Sequence, residues 1–182
     1  MIERDILKNG GANISDLKHA YNQTLRLQSQ ILSLIYDREF LDGHNRFSEE
    51  MSRGENGGGT ITLIVREPLP SMKRLTEAIE EHWKAMLHAA IEEAAQQGAL
   101  PYFEKAFVQI EIVTPRGSNN AKLWDTSNRA INVIINNLKG IFFEDDNMEH
   151  MAFSVVGTWG KKGVTTIQIS ELSEAEINQM SD

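Results

Sequence analysis

Residues 125–146 constrain the fold of this chain most strongly, because they place a strongly apolar helix between carboxylates. Asp125 opens this helix, and Glu144, Asp145 and Asp146 follow its end. The apolar residues recur at the spacing of one helix face, which predicts burial in a core: Ala130, Ile131, Ile134, Ile135 and Leu138. Acids in this arrangement either cap and flank the helix as solvated turn residues, or converge on a shared cation.

The length of the predicted helix separates its two acidic ends. About 13 helical residues span roughly 20 Å, so Asp125 and Asp146 can meet only if the chain reverses after the helix. Gly140 permits a reversal, and the apolar residues 141–143 would anchor it. Otherwise the second acidic group could face a different subunit.

The size of the chain fits one domain with an appended element, since 182 residues can bury a core without disulfides or metals. There is no cysteine, which excludes thiol chemistry and Cys-ligated zinc. The sequence has no apolar run of membrane-spanning length and no signal-peptide pattern at its start. These features predict a cytoplasmic protein with no membrane partner.

The charge of the chain disfavours non-specific adhesion to nucleic acid, since the formal net charge is −8. The acids are unevenly distributed, however, and residues 104–170 carry as many basic as acidic side chains. If bound metal neutralised the carboxylates, this part of the surface would become positive. The charge therefore weakens the case for nucleic-acid binding without removing it.

The sequence divides into three predicted parts. Residues 1–41 form an N-terminal helical extension, whose segment 13–38 is amphipathic and is either docked on its own domain or used in a dimer. Residues 42–59 are polar and glycine-rich, which predicts a flexible linker. Residues 60–182 form the folded domain.

The pattern within the folded domain predicts an α+β fold of two layers in the order β-α-β-α-β-β. Strands are expected at 60–66 and 105–114, with a long helix capped by Ser71 between them and ending near Gly98. Two further strands, 150–159 and 164–170, are joined by Gly160-Lys-Lys-Gly163, which predicts a hairpin. A short terminal helix begins near Ser173.

The acid-flanked segment resembles the signature of RusA-type Holliday-junction endonucleases. Their pattern is Asp-x-Asp-Asn, then a helix containing a lysine, then a Lys-x-Gly-type turn and an Asp-Asp pair. The matching residues of this chain are Asp125, Asn128, Lys139, Asp145 and Asp146. The predicted order of elements over residues 60–172 also agrees with the RusA-like fold.

Two positions depart from that pattern. Ser127 stands where the family has its second aspartate, and Ile131 where it has a helix lysine associated with catalysis. A neutral hydroxyl is a weaker partner for a hard divalent cation than a carboxylate is. The resemblance therefore implies a weakened metal site, in which Glu144 could act as a third acid.

The resemblance implies a structure-selective DNA endonuclease, dependent on Mg²⁺ or Mn²⁺, acting as a homodimer on branched DNA. Asp125, Asp145 and Asp146 would be catalytic and bind the metal. Basic and polar residues would contact DNA: Arg116, Lys122, Asn128, Arg129, Lys139, Lys161 and Lys162. The alternative is a catalytically inactive RusA-like module that binds DNA or a protein partner.

Overall fold

The computed structural model describes residues 13–42, 46–115 and 129–172. They form a mixed α+β fold, as the sequence predicts, with helices on one face of a five-stranded sheet. The elements are α1 (Ile14–Asp42), α2 (Arg46–Met51), β1 (Ser52–Gly57), β2 (Thr60–Val65), α3 (Glu77–Gln96), β3 (Ala106–Pro115), α4 (Ile131–Leu138), β4 (Met151–Gly160) and β5 (Val164–Glu171). Among the described residues, no helix is long and apolar enough to cross a membrane.

The sheet buries one of its two faces. Its strand order is β1-β2-β5-β3-β4, and β3 and β4 form its parallel pair. Alternate residues of the three central strands are buried, because successive side chains point to opposite faces of a strand: Ile61, Leu63, Val65, Ala106, Val108, Ile110, Ile112, Thr165, Ile167 and Ile169. The other face carries polar side chains such as Gln109, Glu111 and Gln168, which are exposed. This is a two-layer architecture.

The first helix is longer than the amphipathic pattern predicts and ends at Asp42 instead of residue 38. Asn13 caps it, because the Asn13 side chain accepts a hydrogen bond from the Ser15 N–H at 3.2 Å. Leu32 is buried, and the Tyr36 hydroxyl hydrogen-bonds to the imidazole of His82 on α3. The C-terminal part of α1 is therefore docked on the domain.

The linker predicted for residues 42–59 is wrong for residues 46–57, which form α2 and β1. β1 pairs with β2 in an antiparallel hairpin closed by Gly58 and Gly59, whose φ angles of 64° and 81° suit this tight turn. Hydrogen bonds from polar side chains of α3, and not apolar burial, hold this strand. Glu93 accepts a hydrogen bond from the Gly54 N–H at 2.9 Å, and Gln97 donates one to the Gly54 carbonyl at 2.8 Å.

Two predicted helix starts are wrong. Ser71 precedes a short 3-10 turn, Met72–Arg74, and α3 begins instead after Thr76, whose hydroxyl accepts from the Ile79 N–H. The acid-flanked helix begins at Ile131 and not at Asp125. Its start is delayed because Arg129 forms an isolated β-bridge with Ser71 and the Ala130 N–H donates to the Pro70 carbonyl at 3.0 Å.

The predicted hairpin between the last two strands is also wrong. β4 and β5 flank β3 on opposite sides, so residues 161–163 pass over the end of β3 instead of closing a hairpin. The crossing is tight: a Cβ at Gly160 would lie 2.3 Å from Val113 Cγ1, and one at Gly163 would lie 2.5 Å from Pro68 Cδ. The pairing of β3 with both strands therefore decides the topology, and the turn sequence alone does not reveal it.

Candidate functional site

The chain reverses direction immediately after α4, one of the two geometries that the sequence argument left open. Lys139 leaves the helical conformation, and Gly140 has a φ angle of 79°, in the left-handed region that favours glycine. The Gly140 N–H donates to the Phe143 carbonyl at 2.7 Å and closes the turn. Phe142 and Phe143 are fully buried. The apolar anchor predicted for this reversal is therefore confirmed.

The reversal brings Asp145 and Asp146 back onto Lys139; we call these three residues the acid turn. The Lys139 ammonium lies 3.2 Å from Asp145 Oδ1 and 3.3 Å from Asp146 Oδ1. All three side chains are partly exposed, between 38% and 46%. Each ion pair therefore contributes little to stability, because water screens it. The ion pairs of the acid turn therefore position two carboxylates and add little to the stability of the fold.

Hydrogen bonds keep the carboxylate of Asp145 ionised. The backbone N–H of Asp146, followed by the Lys139 ammonium and the other side-chain partners, lowers the pKa of Asp145 to about 2. The same two carboxylates raise the pKa of Lys139. The acid turn therefore presents carboxylate oxygens, the donor type that Mg²⁺ and Mn²⁺ take from proteins.

The structure describes one of the other acids predicted for the site and not the second. Glu144 lies 3.8 Å from His150 Nε2, so it faces an imidazole and not the acid turn. Asp125, Ser127 and Asn128 lie outside the described residues. Within residues 13–42, 46–115 and 129–172, no group of three or more His, Asp or Glu side chains is arranged to hold a metal ion. The described part of the site supplies two acids.

The predicted DNA-contacting residues that the structure describes fall at three places. Lys139 belongs to the acid turn. Lys161 and Lys162 are exposed where the chain crosses the end of β3, and Arg129 stands at the opposite end of α4 from the acid turn. Arg116 and Lys122 lie outside the described residues.

Sequence reasoning missed a cavity of about 510 Å³ beside Arg129. Residues distant in the sequence line it, among them Gln28, Ser71, Arg74, Thr114 and Arg129. The signal that could have found it is Thr114, a polar residue at a core-facing position of a strand whose other core-facing residues are apolar. We call this cavity the arginine pocket.

Comparison with known proteins does not identify a family for this chain. No protein-family model matches the chain, and no curated protein matches it.

Proposed function

We propose that this protein is a divalent-metal-dependent endonuclease that cuts branched DNA, resembling the RusA-type Holliday-junction endonucleases. The observation that carries the proposal is the reversal at Gly140, which returns Asp145 and Asp146 to Lys139. An ordinary solvated turn needs no such construction. Two buried phenylalanines and a left-handed glycine here hold two carboxylates at a defined place.

The donor set fits a catalytic metal. Mg²⁺ keeps several waters and commonly takes one or two protein carboxylates, with substrate phosphates completing its shell. Asp145 and Asp146 would hold the ion, and Asp125, which lies outside the described residues, would join them from the same chain or from a second subunit. When bound, the metal supplies charge stabilisation at the scissile phosphodiester and a more acidic water.

Lys139 would position the two carboxylates. Its ammonium contacts one oxygen of each aspartate and so keeps their side chains side by side. The remaining carboxylate oxygens can face a cation, although Asn147 Nδ2 donates to Asp145 Oδ2 at 3.1 Å. Ser127 and Ile131 remain departures from the family pattern, and they predict weak metal binding and slow cleavage.

The alternative proposal is a catalytically inactive RusA-like protein that binds DNA or a protein partner. The ion pairs of Lys139 favour it, because an internal ammonium already occupies the place beside both carboxylates and offsets part of their charge. The net charge of −8 points the same way.

A homodimer forms part of both proposals, since two-fold symmetry suits a four-way junction. Apolar side chains of α1 are exposed and offer a contact surface: Ile14, Leu17, Tyr21, Leu27, Ile31 and Leu34. Sedimentation equilibrium of the wild type and of a Leu27→Glu/Leu34→Glu variant tests this part separately. A monomeric wild type would contradict it.

The test of the enzymatic proposal is cleavage of a synthetic four-way junction with Mg²⁺ or Mn²⁺. We expect paired nicks from the wild type and a loss of roughly 100-fold or more in Asp146→Asn, as when a group stabilising transition-state charge is removed. Glu80→Gln is the matched control, because Glu80 is an exposed acid on α3, away from the acid turn. It should cut at the wild-type rate.

A wild type that cuts no junction over a range of metal and protein concentrations would refute the enzymatic proposal. Gel shifts on junction and linear duplex at two salt concentrations then separate the remaining possibilities. Metal-independent binding without product supports the inactive DNA-binding protein, and no binding supports a protein-interaction module.

A further inference from the structure

Two strands, β1 and β4, form the edges of the five-stranded sheet. An edge strand presents a row of backbone N–H and C=O groups that can pair with a further strand, so folded proteins commonly protect it. Short length, charged side chains and a covering helix or loop are the usual means of protection. The two edges of this sheet differ in length, in charge and in what lies beside them.

The β1 edge is protected. The strand has six residues and carries Arg53 and Glu55, which are exposed and pair with each other at 3.2 Å. Side chains from the end of α3 bond to its backbone, since the Gly54 N–H donates to Glu93 and the Gly54 carbonyl accepts from Gln97. A further strand could pair here only by breaking these hydrogen bonds.

The β4 edge lacks this protection. The strand has ten residues, Met151–Gly160, with no charged side chain and no proline among them. β3 pairs with one side of residues 151–158, and no strand within the described part of the chain pairs with the other side. We call that other side of residues 151–158 the open edge. A long, uncharged edge of this kind is suited to pairing with another chain.

Two large apolar side chains are exposed along the open edge, and they lie on opposite faces of the sheet. Phe153 is 52% exposed and pairs in register with Val108, which faces the core. Val156 is 44% exposed and pairs with Glu111, which faces solvent. A partner packed on one face would cover only one of these side chains, whereas a strand beside β4 would cover both.

The charges that flank β4 have opposite signs at its two ends. Lys161 and Lys162 follow the strand and are exposed. The acids precede it: Glu144, Asp145, Asp146 and Glu149. An antiparallel neighbour with the same sequence would bring each acidic end beside a basic end, whereas a parallel neighbour would bring like charges together. The charge pattern therefore favours an antiparallel second copy of this strand.

We propose that β4 pairs with β4 of a second copy of this chain, antiparallel and around a two-fold axis, so that the two sheets join into one. Alternate residues of each strand direct their N–H and C=O groups away from β3 and bond to the partner strand. An axis at Val155 brings Lys161 of one copy toward the partner's Glu149, because each lies six residues from Val155. Two-fold symmetry repeats this pair of charges at both ends of the interface.

This inference rests on the homodimer that forms part of the proposed function, and it assigns that homodimer a surface separate from the apolar side chains of α1. It does not depend on nuclease activity, because a chain that cuts no DNA can still pair through β4. A dimer joined at β4 that cuts no junction would refute only the enzyme. A chain that cuts junctions and whose dimer is insensitive to changes in β4 would refute only this pairing.

The first test is sedimentation equilibrium of the whole chain and of Val156→Lys. The wild type should be a dimer. The variant should dissociate about 100-fold more readily, because it places like charges from the two copies close together near the axis. Gln168→Lys is the matched control: it adds the same charge at an exposed position on the same sheet face, but on the inner strand β5. It should dimerise like the wild type.

A charge exchange tests the antiparallel orientation. Lys161→Glu and Glu149→Lys should each weaken the dimer roughly fivefold, since each turns two symmetric attractive pairs into repulsive ones. The double variant should recover most of the wild-type affinity, which a folding defect cannot produce. A double variant weaker than both single variants would overturn the antiparallel arrangement.

Cross-linking tests the contact directly, because the chain has no cysteine and a single introduced thiol reports one position. A short bismaleimide should join Val156→Cys to its copy in the partner and leave Gln168→Cys unlinked. A monomeric wild type would overturn the proposal, and so would equal linking of the two variants. A dimer that survives Val156→Lys but is lost in Leu27→Glu/Leu34→Glu would also overturn it, because the contact would then lie on α1.

Discussion

The two ends of α4 carry charges of opposite sign in different surroundings. At its C-terminal end, the acid turn pairs two carboxylates with Lys139 on an exposed surface. At its N-terminal end, Arg129 and Arg74 line a cavity together with Glu67 and with Thr114, whose hydroxyl has no hydrogen-bond partner among the described residues. The comparison shows that residues close together in the sequence form the first cluster, whereas separate elements assemble the second.

The dipole of α4 makes the contrast sharper. A helix favours negative groups at its N-terminus and positive groups at its C-terminus. Arg129 and the pair Asp145 and Asp146 have the opposite signs at the two ends. Lys139 offsets the acids at one end, and the Arg129 guanidinium donates to the Leu69 carbonyl at the other.

The largest expected effect comes from removing the apolar anchor of the acid turn. Phe143→Ala should lower the free energy of unfolding by about 3–5 kcal/mol, because Phe143 is fully buried and its loss leaves a cavity. Urea unfolding measures the change. Phe153→Ala is the matched control, since Phe153 is 52% exposed on β4. Equal losses in the two variants would mean that Phe143 is no anchor.

A pair of threonines next tests whether the Thr114 hydroxyl lacks a partner. Thr165 is also buried, but its hydroxyl accepts from the Leu69 N–H and donates to the Glu67 carbonyl, both at 2.8 Å. Thr165→Val should therefore lower the stability by about 1–3 kcal/mol, whereas Thr114→Val should raise it by about 1 kcal/mol in the free protein. Thermal unfolding in phosphate-free buffer measures both. Destabilisation of similar size in both variants would show that Thr114 has a partner.

The turn glycine gives a smaller effect. Gly140→Ala should cost about 1–2 kcal/mol, because an L-residue with a side chain resists the left-handed region that a φ of 79° requires. No atom within 4 Å would meet the added Cβ, so the cost is conformational and not steric. Gly57→Ala, also in open space but without a positive φ, is the control. A Gly140→Ala protein as stable as the control would remove the case for a constrained reversal.

Sequence patterns predicted the elements whose burial follows a simple period. Buried residues alternate with less buried ones along β2 and β3, and they recur at helical spacing on one face of α4. β1 was not predicted, because Ser52–Gly57 has no apolar residue. Side chains of α3 stabilise this strand by hydrogen bonds. A Cβ at Gly54 would lie 1.7 Å from the Ala90 carbonyl oxygen, so the glycine that suggested a linker permits close packing.

The two candidate sites differ in how far the sequence could reveal them. The acid turn is local, since Lys139, Gly140, Asp145 and Asp146 lie within eight consecutive residues, and the reversal could be argued from Gly140. The arginine pocket joins α1, the 3-10 turn, β3 and the start of α4. Such a site exists only after the sheet order is known, and the sequence suggested the wrong pairing for β5.

The smallest effect concerns the pH dependence of the acid turn in metal-free protein. The pKa of Asp145 is about 2 in the folded protein and 3.8 for an ordinary aspartate. A depressed pKa contributes stability that is fully present above the ordinary value and is lost as the pH falls through the folded value. The stability difference between wild type and Asp145→Asn should therefore be constant above about pH 5 and shrink between about pH 4 and 2.

Urea unfolding in the presence of a chelator, at unit steps from pH 2 to 6, measures this difference. Because the carboxylate is exposed, added salt should reduce the difference at every pH where it is present. A difference that stays constant down to pH 2 would mean that the folded protein does not favour the ionised form of Asp145.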